Sequence, residues 1–278
     1  MKRYDIDRLD NRDPEAIRRM IRWLEPPLWA YFRPVVRGLE RIDSGAGLYV
    51  GNHNAVLLSP DSFIFGIAAY HAHGMAAVPY GLGHEVAISF PVVHQILMPL
   101  GAVRASHELG ARLFREGHKV LVYPGGDLDA MRPFRARHRV VFGPRRGYLR
   151  LAIRCGVPII PVVTAGAQST CIVLNEGKKT AKLLGLDRLF RIKVWPWTLS
   201  LPWGLTFGPP PPHFPLPTRI FIEVLEPMSF DRTGDVAAED PYYVERCHSQ
   251  VHGAMQTALE RLARDRRRAR KAPDDRLS

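Results

Sequence analysis

Three short apolar runs, each leading into glycine- or proline-bordered sequence, constrain this chain more than any other feature. They are 48–50 (Leu-Tyr-Val, then Gly51-Asn52-His53), 119–123 (Lys-Val-Leu-Val-Tyr, then Pro124-Gly125-Gly126) and 157–163 (Val-Pro-Ile-Ile-Pro-Val-Val). Apolar runs of this length without polar alternation suit strands buried on both faces. Helix-sized stretches separate them. The patterns over 108–116 and 145–155 stop at Gly117 and Gly156, where a helix can end in a left-handed residue. Ser59 and Pro60 have the residue types of an N-cap and a first helical position. Further strands are predicted over 76–80 and 219–225, and a helix over 84–97 interrupted at Pro91. Alternating strands and helices predict an α/β fold, a mostly parallel sheet flanked by helices. Two prolines in 157–163 predict an edge or irregular strand there.

The ends differ from this middle. Residues 1–40 form an N-terminal segment in which Ile17, Met20, Ile21 and Leu24 repeat with helical spacing, before Pro26 and Pro27 are expected to kink or end the helix. Aromatic residues bracketed by arginine follow, around Trp29. That pattern suits a membrane interface and equally a helix packed on its own domain. Residues 41–231 form the α/β region. Seven prolines between 202 and 217 predict an extended linker that crosses from one side of the sheet to the other. Residues 232–278 carry a helix whose apolar stripe is Val244, Cys247, Val251, Met255, Ala258 and Leu262, then a basic run, 266–271, expected to be a solvated, frayed end.

With 278 residues, 46% hydrophobic and 24% charged, the chain can bury an ordinary core. Its net charge of +12 favours an anionic partner: phospholipid, a phosphorylated cofactor or nucleic acid. Three scattered cysteines fit reduced thiols, and no Cys/His spacing suits a metal; His71 and His73 lack further ligands. Stretches 86–103 and 155–174 lack formal charges, yet prolines and polar residues make them buried strand and loop rather than membrane spans.

Three blocks can carry chemistry. In the first, Asn52 and His53 leave a strand at the carboxyl edge of the sheet, where α/β proteins bind ligands. Asp61, early in the next helix, is placed to accept a bond from one imidazole nitrogen, leaving the other as a base for a hydroxyl. A structural His near an Asp has the same appearance. In the second, Arg104 follows Gly101 and suits a phosphate clamp. In the third, Gly125 and Gly126 permit close backbone approach to an oxyanion or phosphate, with Asp127 and Asp129 beside them. Stretch 132–154, including Arg132 and Arg135, holds eight arginines and no carboxylate, which predicts an anion-binding surface.

Taken in order, these blocks resemble the PlsC-like lysophospholipid and glycerolipid acyltransferase superfamily over about residues 38–230. His53 and Asp61 look like its His-and-Asp block, Gly101 and Arg104 its Gly-and-Arg block, Tyr123-Pro-Gly-Gly-Asp its Phe-Pro-Glu-Gly block, and Val157-Pro-Ile-Ile-Pro161 its last block. Seven residues rather than four separate His53 from Asp61, and Gly125-Gly126-Asp127-Leu128 stands in place of Glu-Gly-Thr-Arg. The Pro-Gly-Gly element is similar to the branch associated with mono- and diacylglycerol.

The resemblance implies direct acyl transfer from acyl-CoA or acyl carrier protein to a glycerolipid hydroxyl, without a bound cofactor or metal. His53 would be general base and Asp61 its orienting partner. Asn52, Arg104, Gly125, Gly126, Asp127, Asp129, Arg132 and Arg135 would contact substrates. It further implies a cytoplasmic protein, peripheral on the inner face of a membrane with anionic lipids, and no nucleic-acid partner. A non-catalytic lipid-binding protein of the same fold and a lipid hydrolase are the alternatives. Neither Gly-x-Ser-x-Gly nor a cysteine-centred motif supports a covalent acyl-enzyme.

Overall fold

A computed structural model describes residues 4–54, 59–175, 177, 182–183, 185, 195–208 and 213–271. Its centre is a seven-stranded sheet in the order β1 (Val35–Arg37), β10 (Phe221–Val224), β6 (Ile159–Ala165), β2 (Gly47–Gly51), β5 (Lys119–Val122), β3 (Tyr80–Gly83) and β4 (Ala102–Arg104). The five strands from β6 to β4 run parallel, and β10 pairs antiparallel with β6. Every residue of β2, β5, β6 and β10 is buried, as expected of strands covered on both faces.

Alternate residues of each strand feed two cores. Leu48, Val50, Val120, Val122 and Val163 pack under α5 (His107–Arg115), α7 (Gly147–Cys155), α8 (Asp235–Glu239) and α9 (Pro241–Lys271). Tyr49, Leu121, Ile160 and Val162 pack under α1 (Pro14–Phe32) and α2 (Pro60–His73). Short helices α3 (Glu85–Ile88), α4 (Pro91–Leu97) and α6 (Gly126–Ala130) follow strands or turns at the same edge region.

Several sequence expectations need correction. The helix α1 runs through Pro26 and Pro27. The carbonyls that two prolines deprive of donors belong to Arg22 and Trp23, whose residues face solvent, so the lost bonds leave no polar group stranded in the core. The stretch expected as a strand over 76–80 is instead a short 3-10 turn, Gly74–Ala77, and the strand begins at Tyr80. Strand β6 is central rather than an edge. Pro161 is tolerated because its missing donor falls between the last β10 pair, Val224 with Val162, and the bridge of Ile159 to Met228, while its carbonyl still accepts from Leu225.

Between β6 and β10 the chain forms an antiparallel unit, β7 (Ile172–Val173), β8 (Trp197–Ser200) and β9 (Gly204–Phe207), of which only β9 lies in the proline-rich stretch; it then re-enters the sheet beside the strand it left, with Phe221 of β10 paired to Ala165, the residue where β6 ends. Pro209, Pro210, Pro211 and Pro212 lie outside the described residues. The basic run 266–271 continues α9, and Arg266 is folded back, donating from Nε to the Arg219 carbonyl. Among the described residues no helix is long and apolar enough to cross a membrane.

Two glycines in helix interiors make opposite predictions. Nothing lies within 4 Å of a Cβ built on Gly66 in α2, whereas one on Gly110 in α5 would sit 2.6 Å from Cδ2 of Leu151, itself buried. Gly66→Ala is expected to stabilise the fold by about 0.5–1 kcal/mol through helix propensity. Gly110→Ala is expected to destabilise it by about 1–2 kcal/mol through overpacking. Denaturant midpoints of the two variants check the signs.

Candidate active site

The site begins with glycine. A Cβ on Gly51, the last residue of β2, would lie 2.5 Å from Cε1 of Tyr123, so only glycine lets that ring cross the end of the strand. The Tyr123 ring then packs on the His53 imidazole, centroids 4.7 Å apart, and its hydroxyl is 2.6 Å from Ser62 Oγ. Gly125 serves a similar end. A Cβ there would meet Asp129 Cβ and the Val141 carbonyl oxygen, each at 2.3 Å. Its compactness lets α6 return Asp129 against the His53 loop.

Asp129 and Arg132 form a salt bridge at 2.8 Å with side chains 0% and 1% exposed. Between them they hold the His53 peptide at both ends. The His53 N–H donates to Asp129 Oδ2 at 2.6 Å, and Arg132 Nη1 donates to the His53 carbonyl at 2.6 Å. Val141 N–H also donates to Asp129, and Arg132 Nη2 donates to Asn54 Oδ1 at 2.6 Å. Asn54 Nδ2 in turn donates to Asp61 Oδ2 at 2.8 Å and to the Asn52 carbonyl. A continuous buried chain of polar contacts thus runs from Asp129 through Arg132 and Asn54 to Asp61.

His53 and Asp61 are both at the carboxyl edge, and the structure does not join them. Asp61 gives one oxygen to Asn54; its Oδ1 and the His53 Nδ1 are buried without hydrogen-bond partners. Burial pushes Asp61 up to about 6, against the lowering effect of Asn54. Burial likewise pushes His53 down to about 4; the Asn54 backbone and Asp127 charge act against that shift, while Arg132 reinforces it. The imidazole is therefore neutral at neutral pH, the form in which it can accept a proton.

The other residues singled out from sequence divide by geometry. Asn52 is a buried stitch between strands: its Oδ1 accepts from Thr164 N–H and its Nδ2 donates to the Thr164 carbonyl. Asn52, Asp129 and Arg132 all make hydrogen bonds within the protein that hold the His53 loop, with Arg132 Nε left without a partner. Gly126 has φ +49, and its N–H donates to the Tyr123 carbonyl instead of facing an oxyanion. Asp127 is ion-paired with Arg145, which also donates to the Gly125 carbonyl. Arg104 ends β4, the edge strand three positions from β2, about 14 Å away at the usual strand spacing. Its guanidinium binds both oxygens of Asp7, tying the N-terminal segment to the sheet.

The arginine-rich stretch is also less open than its sequence implied. Arg132, Arg145, Arg146, Arg150 and Arg154 pair with Asp129, Asp127, Glu245, Glu239 and Asp235 respectively. Among the described residues Arg135, Arg137 and Arg139 have no carboxylate partner. Arg135 and Arg139 line a groove of about 580 Å³ with His138, His252, Gln256 and Glu260. Burial first, and then the charges of Arg137, Arg267, Arg266 and Arg132, push His138 down to about 4. Sequence reasoning missed Asn54, Tyr123 as a ring partner, Ser62 and Thr164. Asn54, two residues beyond Asn52 in the same loop, was the one visible signal.

Two outcomes test this geometry. Asn54→Ala strands a buried carboxylate oxygen and a guanidinium nitrogen and is expected to cost about 1–3 kcal/mol for each group left unpaired, measured by denaturant unfolding. For His53, a folded pKa below the unfolded value means the unfolded chain binds more protons between about pH 6.5 and 4. Stability is then full above about 6.5 and falls as the pH drops through that window. His53→Gln is expected to flatten this part of the curve, checked by comparing unfolding midpoints at pH 7 and pH 5.

The acyltransferase family model matches residues 33–165, which span β1 to the end of β6 and include His53, Asp61 and the Pro124-Gly125-Gly126 turn. An uncharacterized Mycobacterium tuberculosis protein is 28% identical over 239 residues, covering 86% of this chain and 64% of its own length. The human DGAT1/2-independent enzyme synthesizing storage lipids is 28% identical over 231 residues, covering 81% of this chain and 64% of its own. The chain therefore spans just under two thirds of the length of these relatives. The crystal structure of the 1-acyl-sn-glycerophosphate acyltransferase PlsC from Thermotoga maritima shares the fold, with a TM-score of 0.55 at 17% identity over 88% of this chain and 79% of that one. The chain thus has the fold of that PlsC structure, and its residues 33–165 match the acyltransferase family model.

Proposed function

We propose that the chain transfers a fatty acyl group from a thioester, acyl-CoA or acyl carrier protein, to a hydroxyl of a glycerolipid. The observation that carries this is the pair of orphaned buried atoms, His53 Nδ1 and Asp61 Oδ1, in a network where Arg132 Nε is the one further side-chain atom left without a partner among the described residues. An imidazole N–H and a carboxylate oxygen are each the partner the other lacks. Their union would fix the tautomer and make the remaining nitrogen, Nε2, a stronger base.

In the reaction, Nε2 takes the hydroxyl proton while the oxygen attacks the thioester carbonyl. Asp61 stabilises the imidazolium. Collapse of the tetrahedral intermediate expels the thiolate, which takes the proton back from Nε2. Donor phosphates fit the groove at Arg135 and Arg139, which have no carboxylate partner among the described residues. A neutral acceptor fits the His53 side better than a phosphorylated one, because Arg104 is taken by Asp7 and Arg145 by Asp127. The storage-lipid name of the human relative points the same way. One observation favours a non-catalytic lipid-binding protein instead: Asn54, not His53, holds Asp61.

Labelled acyl-CoA offered with monoacylglycerol, diacylglycerol or lysophosphatidic acid decides between these. Label is expected in a neutral glyceride. His53→Ala is expected to lower turnover by about 100-fold or more while the protein still folds and unfolds cooperatively. Arg135→Ala is expected to raise the donor KM about tenfold, the loss of one charge-assisted contact, with kcat nearly unchanged. Turnover that survives His53→Ala removes the proposed base. Transfer to lysophosphatidic acid alone overturns the neutral acceptor.

A further inference from the structure

The three-stranded unit β7–β8–β9 is built inside out. Along β8 the residues alternate between exposed and buried, and the exposed ones are apolar: Trp197 and Leu199, continued by Leu201. Directly opposite on β9 stand Phe207 across from Trp197 and Leu205 across from Leu199, while Phe214 bridges to Leu201. Residues directly opposite in an antiparallel pair share a face. Leu205 is 57% exposed and Phe214 72%, and Trp203 at the turn is 52% exposed. The other face is hydroxylic, with Thr198 and Ser200 buried and Thr198 Oγ1 2.7 Å from Oγ1 of the half-buried Thr206. Water-soluble sheets put the apolar residues of such an alternation inward.

The unit's position adds meaning. The chain leaves the main sheet at Ala165, at the same carboxyl edge as His53, and returns at its register partner Phe221. Tyr31 at the end of α1 holds the returning segment by donating to the Pro215 carbonyl at 2.6 Å. The sequence joining β7 to β8 is basic: Lys178, Lys179, Lys182, Arg188, Arg191 and Lys193 stand against Glu176 and Asp187. An apolar face with tryptophans, on a unit whose connecting sequence is basic, suits the interface of an anionic bilayer.

We infer that the outward face of β7–β8–β9, carried by Trp197, Leu199, Trp203, Leu205, Phe207 and Phe214, seats the protein on an anionic lipid bilayer. This moves the membrane surface away from the Trp29 region and the basic run 266–271. Trp29 packs against the α1–α2 core and Arg266 binds back to the Arg219 carbonyl. The inference rests on the lipid-acceptor reading for its purpose, since the docked face would bring a bilayer to the edge that bears His53; the binding itself is measured without turnover.

The test is flotation of the full chain with phosphatidylcholine vesicles, with and without phosphatidylglycerol. The variants are Trp203→Ser combined with Leu205→Ser, a separate Phe214→Ser, and Trp23→Ser, which removes a more exposed tryptophan on α1. Binding is expected to need phosphatidylglycerol. It should fall at least about tenfold in the double variant, given the apolar area withdrawn from the bilayer, and measurably in Phe214→Ser. Trp23→Ser should bind as wild type, and all melting temperatures should agree. Transfer to a vesicle-borne acceptor should fall with binding while transfer to a short-chain soluble acceptor persists. If neither acceptor is used, the acyltransfer reading fails while the vesicle result still decides this one. Undiminished binding in both hairpin variants, or loss in Trp23→Ser alone, overturns the inference. So does a wild type that ignores vesicles and is a dimer that the double variant converts to monomer.

Discussion

The site depends on the ion pair between Asp129 and Arg132. Burying two charges costs several kcal/mol, and their attraction repays this only when nearly every remaining donor and acceptor is satisfied. Here Asp129 accepts from His53 N–H, Val141 N–H and Arg132, and Arg132 donates to the His53 carbonyl and to Asn54, with only its Nε left unpartnered. Loop backbone that would otherwise need water is paired inside the protein. The pair thus fixes the peptide of His53 with short charge-assisted bonds while leaving the imidazole itself unpartnered at Nδ1. The spacing of three residues at the end of α6 makes the arrangement possible, because it brings both side chains to one side of the turn.

Small residues make room for that pair. Gly125 is glycine because the Asp129 side chain and the Val141 carbonyl occupy the space a Cβ needs, and Gly51 because the Tyr123 ring does. In sequence, two glycines after a buried strand suggest a backbone opened to a ligand. In the folded chain they let protein approach protein, and the first consequence is the placement of His53 between the Tyr123 ring and the Asp129 carboxylate.

Charge follows the same logic. Stretch 132–154 contains no carboxylate of its own, yet Arg146, Arg150 and Arg154 meet Glu245, Glu239 and Asp235, which α8 and α9 bring across from some ninety positions away. What remains unpaired is confined to the turn around Arg135 and Arg139, beside a groove, so the positive potential is local rather than a broad face. The hairpin is the opposite case. Its tryptophans and leucines have the alternation of an ordinary half-buried strand, and only the packing of Thr198 and Thr206 inward reveals which face is wet.

The sequence by itself determined the strand–helix alternation, because apolar runs such as 119–122 and helix stops such as Gly117 and Gly156 are local signals of burial and backbone conformation. It also determined that His53 would emerge at the carboxyl edge, since a parallel strand ending in Gly51 can deliver it nowhere else. Helix α1 continuing past Pro26, β6 lying at the centre despite Pro161, and the return of the chain beside its point of departure were decided by tertiary structure. Each turns on which side of an element faces water or which neighbour stops short, and neither is encoded within a local window. The roles of Asn52, Asn54, Asp129 and Arg132 were likewise decided in three dimensions. A polar side chain near a site serves a ligand or the scaffold according to whether the fold supplies its partners, and those partners lie as far away as Thr164.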